Sequence, residues 1–195
     1  MYLFGASGHG KVIAEIAESN ALVIDGFIDT DLNKTDVLDY PVFHEVPSGK
    51  IEVVIAIGNN KVRKSIVNDY VNFKYVKLEH AHSHISKRTS IGSGTVIMAG
   101  VTVNVDVNIG KHCIINTNAS VDHDCVIADF VHISPNAALA GNVVVGEGTH
   151  IGIGAVVIQG VKIGGWCIIG AGAVIIKDIP DGCTVVGNPG RVINK

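Results

Sequence analysis

Cut into sixes from Ile85, the chain reads ISKRTS IGSGTV IMAGVT VNVDVN over residues 85–108, and the frame does not slip afterwards. Stepping by six from Ile85 lands on Ile91, Ile97, Val103, Ile109, Ile115, Val121, Ile127, Ile133, Leu139, Val145, Ile151, Val157, Ile163, Ile169 and Ile175. Ile, Val and Leu make up 61 of 195 residues, so sixteen such hits in a row have a chance probability on the order of 10⁻⁸. Four residues after each aliphatic position comes a smaller side chain, running from Thr89, Thr95 and Val101 through Cys113, Ala119 and Cys125 to Cys167 and Ala173. One large and one small inward residue per six describe short strands joined by tight turns. Three hexads close one triangular coil of a parallel β-helix, and coils stack about 4.8 Å apart. Residues 85–180 hold sixteen hexads, a little over five coils. Glycine at the second position of several hexads (Gly92, Gly110, Gly146, Gly152, Gly164, Gly170) is expected to supply turn conformations that a Cβ resists.

Composition agrees. Hydrophobic residues make up 47% of the chain but aromatic ones only 5%, as a core one aliphatic and one small residue wide requires. The charge is −3 with no basic run, which argues against a nucleic-acid or anionic-membrane surface. Four cysteines form no C-x-x-C pair; Cys113, Cys125 and Cys167 fall in the small inward series and read as buried hydrophobes. The apolar stretch 151–176 is broken by Lys162 and glycines, so no membrane span is expected. With no secretory leader pattern at the N-terminus, a reducing, cytoplasmic setting follows.

Residues 1–80 have another grammar. Leu3–Phe4, ALVIDGFID (21–29) and EVVIAIG (52–58) read as strands, with helical spacing at Val12, Ile13, Ile16 and Ala17 and again over 61–70. Strands alternating with helices imply a small open α/β domain of Rossmann-like type over 1–80, followed by the β-helical domain, 81–195. The turn GASGHGK (5–11) misses the G-x-G-x-x-G spacing, and as a Walker A loop it carries Val12 where Ser or Thr is required. What survives is backbone N–H groups opening a helix, suited to a phosphate, or a tight turn alone. Asp29 and Gly58-Asn59-Asn60 end neighbouring strands, at the crevice where open α/β sheets bind ligands.

His80, His82 and His84 alternate but lack acidic or thiol company, so no metal is expected there. His132 and His150 lie 18 residues apart, one coil, and are expected to stack outward. His123 sits at a corner between Asp122 and Asp124. Carboxylates beside an imidazole raise its basicity and fix its tautomer, as a general base requires; a solvated corner histidine reads the same way in sequence.

Taken together, the hexads and the motifs GASGHGKV (5–12), FIDTD (27–31), AIGNNKVRKSI (56–66), NTNASVDHDCVIADFVHIS (116–134) and GNPGRVI (187–193) resemble the hexapeptide-repeat acyltransferases. The resemblance runs end to end and points to the subgroup of UDP-4-amino-sugar N-acetyltransferases and sialic acid O-acetyltransferases. It implies a left-handed coil, a homotrimer, acetyl-CoA as co-substrate and N-acetylation of a nucleotide-linked amino sugar, with O-acetylation of a sialic acid as the alternative. It further implies His123 as general base with Asp124 orienting it, and His132, Ile153 and Ala171 at acetyl-CoA. Ser7, Gly8, His9, Asp29, Thr30 and Gly58 fall where the family holds nucleotide-sugar, and Asn116 reaches a neighbouring subunit's site. Two other readings are a zinc hydratase, using His123, His132 and His150 across an interface, and a non-catalytic nucleotide-sugar-binding trimer.

Overall fold

The hexad period folds as a three-sided parallel β-solenoid in the computed structural model, which describes residues 1–194. Its faces are sheets of eight, six and five strands, nearly all of two residues. The first face runs Leu78–Glu79, Val96–Ile97, Ile114–Ile115, His132–Ile133, His150–Ile151, Ile168–Ile169 and Thr184–Val186, and Arg191–Asn194 closes its end antiparallel. The second begins at His84–Ile85 and the third at Ser90–Ile91. Partners lie 18 residues apart, as in Ile97↔Ile115 and Ile133↔Ile151, so each coil is three hexads. The solenoid starts one strand before Ile85. That strand is hidden in the sequence because its inward position holds Glu79 rather than an aliphatic residue.

Both inward series are buried: Ile97, Val103, Ile115 and Ile133 alternate with Val101, Val107, Cys113 and Ala119, all at 0% exposure. All four thiols are free and buried.

The turn expectation needs correction. Second-position glycines do not adopt positive φ; the left-handed residue falls two places later, at Gly94, Gly100, Gly148 and Gly154 and also at Asp106, His112, Asn118, Asp124, Phe130 and Trp166. At the second position, glycine is needed because the next coil passes too close. A Cβ on Gly92 would lie 2.6 Å from the Gly110 carbonyl carbon, and one on Gly146 2.4 Å from the Gly165 nitrogen.

The N-terminal domain comprises β1 (Tyr2–Phe4), α1 (Gly8–Ser19), β2 (Gly26–Ile28), β3 (Asp36–Val37), β4 (Tyr40–Phe43), β5 (Glu52–Ile55), α2 (Asn60–Asp69) and β6 (Lys74–Tyr75). The sheet order is β3-β4-β2-β1-β5-β6, all parallel except the β3–β4 hairpin. Parallel β1, β2 and β5 put the turns after them, residues 5–7, 29–31 and 58–59, at one end of the sheet.

How the two parts meet is written on the first face. Its outward residues Leu78, Val96 and Ile114 are buried in one cluster with Ile13, Ile16, Ala17 and Met98. Helix α1 thus buries its apolar stripe on the lower coils, and the next outward residues up the column, His132 and His150, meet the sheet's carboxyl-end turns. No helix is long and apolar enough to cross a membrane among the described residues.

Candidate active site

Two groups of functional side chains emerge, on opposite sides of the prism. The first lies where the N-terminal domain meets the first face. His132 and His150 stack with ring centroids 4.7 Å apart and planes 3° from parallel, one coil apart as the spacing predicted. His9, in the first turn of α1, approaches His132 at 6.5 Å. The Asn116 Oδ1 accepts from the Thr117 N–H at 2.8 Å, so its Nδ2 donates to His132 Nε2 at 3.1 Å. With Nε2 accepting, the proton of the neutral His132 ring sits on Nδ1, which has no well-aligned hydrogen-bond partner among the described residues. Ser134 Oγ lies 2.7 Å from His150 Nε2.

These imidazoles are poor bases. Burial, then the charges of His150 and Arg63, push His132 down to about 3, and burial with Arg63 pushes His9 down to about 4. They are neutral at physiological pH, fit to donate or accept a hydrogen bond to a ligand but not to hold its proton.

Beside them, Gly58, Asn59, Asn60 and Lys61 line a cleft of about 540 Å³ with His132, His150, Trp166 and Ile168. On the other side of His9, Asp29 Oδ2 accepts from the Ala6 N–H at 2.8 Å and from Lys34 Nζ at 2.8 Å, and Oδ1 from the Asp31 N–H at 3.0 Å. Burial alone would raise its pKa, but those hydrogen bonds outweigh burial and keep the carboxyl below its ordinary value. Lys34 also donates to Ser7 Oγ, leaving the first turn of α1 without a side-chain cap. Ser7, Gly8 and Thr30 are exposed around this loop.

Sequence reasoning gave no role to Arg63, which fixes the cleft. It is 1% exposed and has no carboxylate partner among the described residues. Instead its donors reach five acceptors: the carbonyls of His112 (2.7 Å), Phe130 (2.9 Å), Ile57 (3.0 Å) and Gly58 (3.3 Å), and Asn60 Oδ1 (2.8 Å). Asn60 in turn donates to the Gly148 carbonyl at 3.0 Å. The guanidinium therefore ties the Gly58–Asn60 turn to three successive coil corners. Burial lowers its pKa to about 10, which leaves it charged at neutral pH. Arg63→Ala strands these acceptors in a buried interface, and we expect a loss of about 3–5 kcal/mol by urea denaturation. Arg63→Lys restores little of it, because three donors on a point charge cannot serve five acceptors.

The second group is the corner between the second and third faces, the vertex opposite the first face. There His123 Nδ1 meets Asp124 Oδ2 at 2.7 Å, both side chains about half exposed. Asp122 Oδ1 accepts from the His123 backbone N–H at 2.8 Å and from Asn104 Nδ2 at 2.6 Å, which fixes the turn. The hydrogen bond His123 makes to the Asp124 carboxylate raises its pKa above the ordinary 6.5; burial, the next largest cause, opposes the rise, and the charges of Asp122 and Asp124 add to it. His123 lines a groove of about 540 Å³ with His84, Ser86, Lys87, Asn104 and Val105. A neutral ring with Nδ1 held by a carboxylate presents Nε2 as an acceptor, and the surroundings that lower the basicity of His132 raise that of His123 instead.

Ile153 and Ala171 project from a third place, the corner between the first and second faces, and both are exposed. The structure thus joins His9, Asn116, His132 and Gly58 in one region, and Ser7 with Asp29 beside it. It leaves His123–Asp124 and Ile153–Ala171 apart from them within one chain. Among the described residues no group of three or more His, Cys, Asp and Glu side chains is placed to hold a metal. The His80 and His82 rings lie 5.5 Å apart, and His80 Nδ1 accepts from the His82 backbone N–H.

Residues 1–70 match the family described as PglD N-terminal domain, and residues 142–177 match bacterial transferase hexapeptide (six repeats). Among solved structures, the chain is 34% identical to a histidine-to-asparagine variant of perosamine N-acetyltransferase from Caulobacter crescentus, solved with CoA and GDP-perosamine. That match covers 100% of this chain and 96% of the other, with a TM-score of 0.95. It is 38% identical to the acetyltransferase domain of PglB from Neisseria gonorrhoeae, covering 98% of each chain with a TM-score of 0.93. The match to WeeI from Acinetobacter baumannii is 32% identical over 98% of each chain, with a TM-score of 0.92.

Proposed function

The chain belongs to the family of hexapeptide-repeat sugar acetyltransferases with a PglD N-terminal domain, and on that footing we propose that it moves the acetyl group of acetyl-CoA to the amino group of a nucleotide-linked sugar. The observation that carries this is the end-to-end match to an enzyme holding CoA and a GDP-linked amino sugar together; the PglB domain has likewise been solved with acetyl coenzyme A. Four free, buried thiols suit the reducing cytoplasm, where we place it.

In this reading the nucleotide-sugar lies over the carboxyl end of the N-terminal sheet. Free N–H groups opening α1 take its phosphates, and Ser7, Gly8, His9, Asp29, Thr30 and Gly58 surround it. The acceptor nitrogen attacks the thioester carbonyl carbon while His123 Nε2 takes the proton that nitrogen loses. The C–S bond breaks, CoA leaves as thiolate and recovers that proton from the imidazolium, which Asp124 stabilises meanwhile. A thioester is already activated, so orientation and proton removal supply most of the catalysis. Cys125 Sγ faces the core and bonds the Ala140 carbonyl at 3.2 Å, which argues against a covalent route.

The placement of His123 also supports assembly. A vertex opposite the docked N-terminal domain cannot face that domain's own cleft, so the site is completed by packing prisms around a threefold axis. A second chain then brings His123 to the first chain's nucleotide-sugar, with Ile153, Ala171 and His132 along the acetyl-CoA path and Asn116 at the shared boundary.

Incubation with acetyl-CoA and a panel of UDP-, GDP- and TDP-amino-sugars and CMP-sialic acid tests the reaction, read by mass spectrometry. We expect one acetyl group on an amino-sugar nucleotide, stable to mild alkali. An alkali-labile product on CMP-sialic acid would establish O-acetylation instead, and no product with any acceptor would leave a binding trimer.

A further inference from the structure

Gly141 lies 18 residues after His123, so it occupies the same corner one coil further along. An ideal Cβ built on Gly141 would sit 2.5 Å from His123 Cε1, 2.6 Å from Nε2 and 3.1 Å from Nδ1. All three nearest atoms belong to the imidazole, none to backbone. The other close glycines of the solenoid differ. Gly92, Gly146 and Gly152 oppose backbone of the next coil, and Gly94 and Gly148 add a left-handed φ to their contact. Gly141 has neither constraint; alanine suits its backbone, and one side chain alone stands in the way.

We propose that Gly141 is a positioning residue for the His123 base: the missing Cβ is the space in which the imidazole lies, with Nδ1 on Asp124 and Nε2 open. This rests on the reading of His123 as the proton acceptor. The Cε1–Nε2 edge of the ring occupies the space a Gly141 Cβ would take, and the Asp124 carboxylate holds the ring at Nδ1. Charged and titratable groups around it are Asp122 and Asp124 on its own turn and His84 and Lys87 across the groove. A methyl group at 141 fills that space. The ring is half exposed and tethered at one nitrogen, so it swings outward rather than straining the coil. The fold survives while the base leaves its place.

Gly141→Ala is therefore expected to keep the wild-type urea midpoint and KM for both substrates while kcat falls roughly 10–100-fold, the scale of a displacement near 1 Å. The acid limb of kcat/KM shifts to lower pH as His123 loses its carboxylate. In a His123→Ala background the same substitution costs nothing further, because it acts only through the ring. Full activity in Gly141→Ala with an unmoved His123 titration, or an additional loss in the double variant, overturns the proposal. A separate arm needs no turnover: NMR titration of His123, assigned by its absence in His123→Ala, is expected to fall toward 6.5 in Gly141→Ala. An unmoved titration overturns the steric claim even if the enzyme assay fails, and a moved one with unaffected turnover refutes instead the assignment of His123 as base.

Discussion

Turnover of the His123→Ala variant is expected to fall ~10²–10⁴-fold, the range for losing a general base, with its urea midpoint close to wild type. The small effect on stability follows from position. His123 lies at an exposed corner and contributes no packing to the inward series, and Val121 and Cys125 on either side of it remain buried. The large effect on turnover follows because the buried imidazoles cannot take over. His132, His9 and His112 are pushed to about 3–4 by burial above all, so none takes a proton near neutrality. Activity requires the unprotonated ring, so the acid limb of kcat/KM has its midpoint at the folded-state pKa, above 6.5, and activity falls as pH drops through it. Asp124→Asn removes the first cause of that elevation and moves the midpoint to lower pH, while the maximal rate falls because the tautomer is no longer held. Asparagine is the suitable probe because residue 124 has φ 60°, a left-handed conformation that Asn tolerates and alanine resists. A variant at 123 with unchanged turnover removes the imidazole from the reaction.

The repeat was legible because six residues per side leave no freedom: an inward slot admits only an aliphatic or a small side chain, and Ile85 to Ile175 obey. The same stride of 18 forecast the His132–His150 stack, and it points at Gly141 above His123, a signal not used in the sequence reading. The column Leu78, Val96, Ile114 also marks the face that is covered, because three apolar outward residues at coil spacing need a partner. Second-position glycines misled because glycine serves both positive φ and close approach, and composition does not separate the two. Hairpin β3–β4 passed unseen since its strands, Asp36–Val37 and Tyr40–Phe43, are too short to show a period. Arg63 lies beyond local reading altogether. In sequence it is a basic residue on a polar helix; its burial depends on carbonyls at positions 112 and 130, which only the docking of the two domains brings near.

Mixed assembly carries the other large effect. On the proposed reading, His123→Ala chains lack the base and Asp29→Ala chains lack the carboxylate that three donors hold at the proposed nucleotide-sugar loop, so each assembly alone is expected to be nearly inactive. If His123 from one chain serves the N-terminal domain of the next, an equal mixture of the two, unfolded and reassembled together, contains intact sites. Each requires its base from an Asp29→Ala chain and its sugar loop from a His123→Ala chain. Random assembly makes about one site in four intact. With differently tagged chains co-purified to prove mixing, recovery of about a quarter of wild-type activity is the predicted result. Mixed assemblies as inactive as their parents would show that base and sugar loop meet within one chain, contrary to the geometry of a prism whose His123 vertex faces away from its own N-terminal domain.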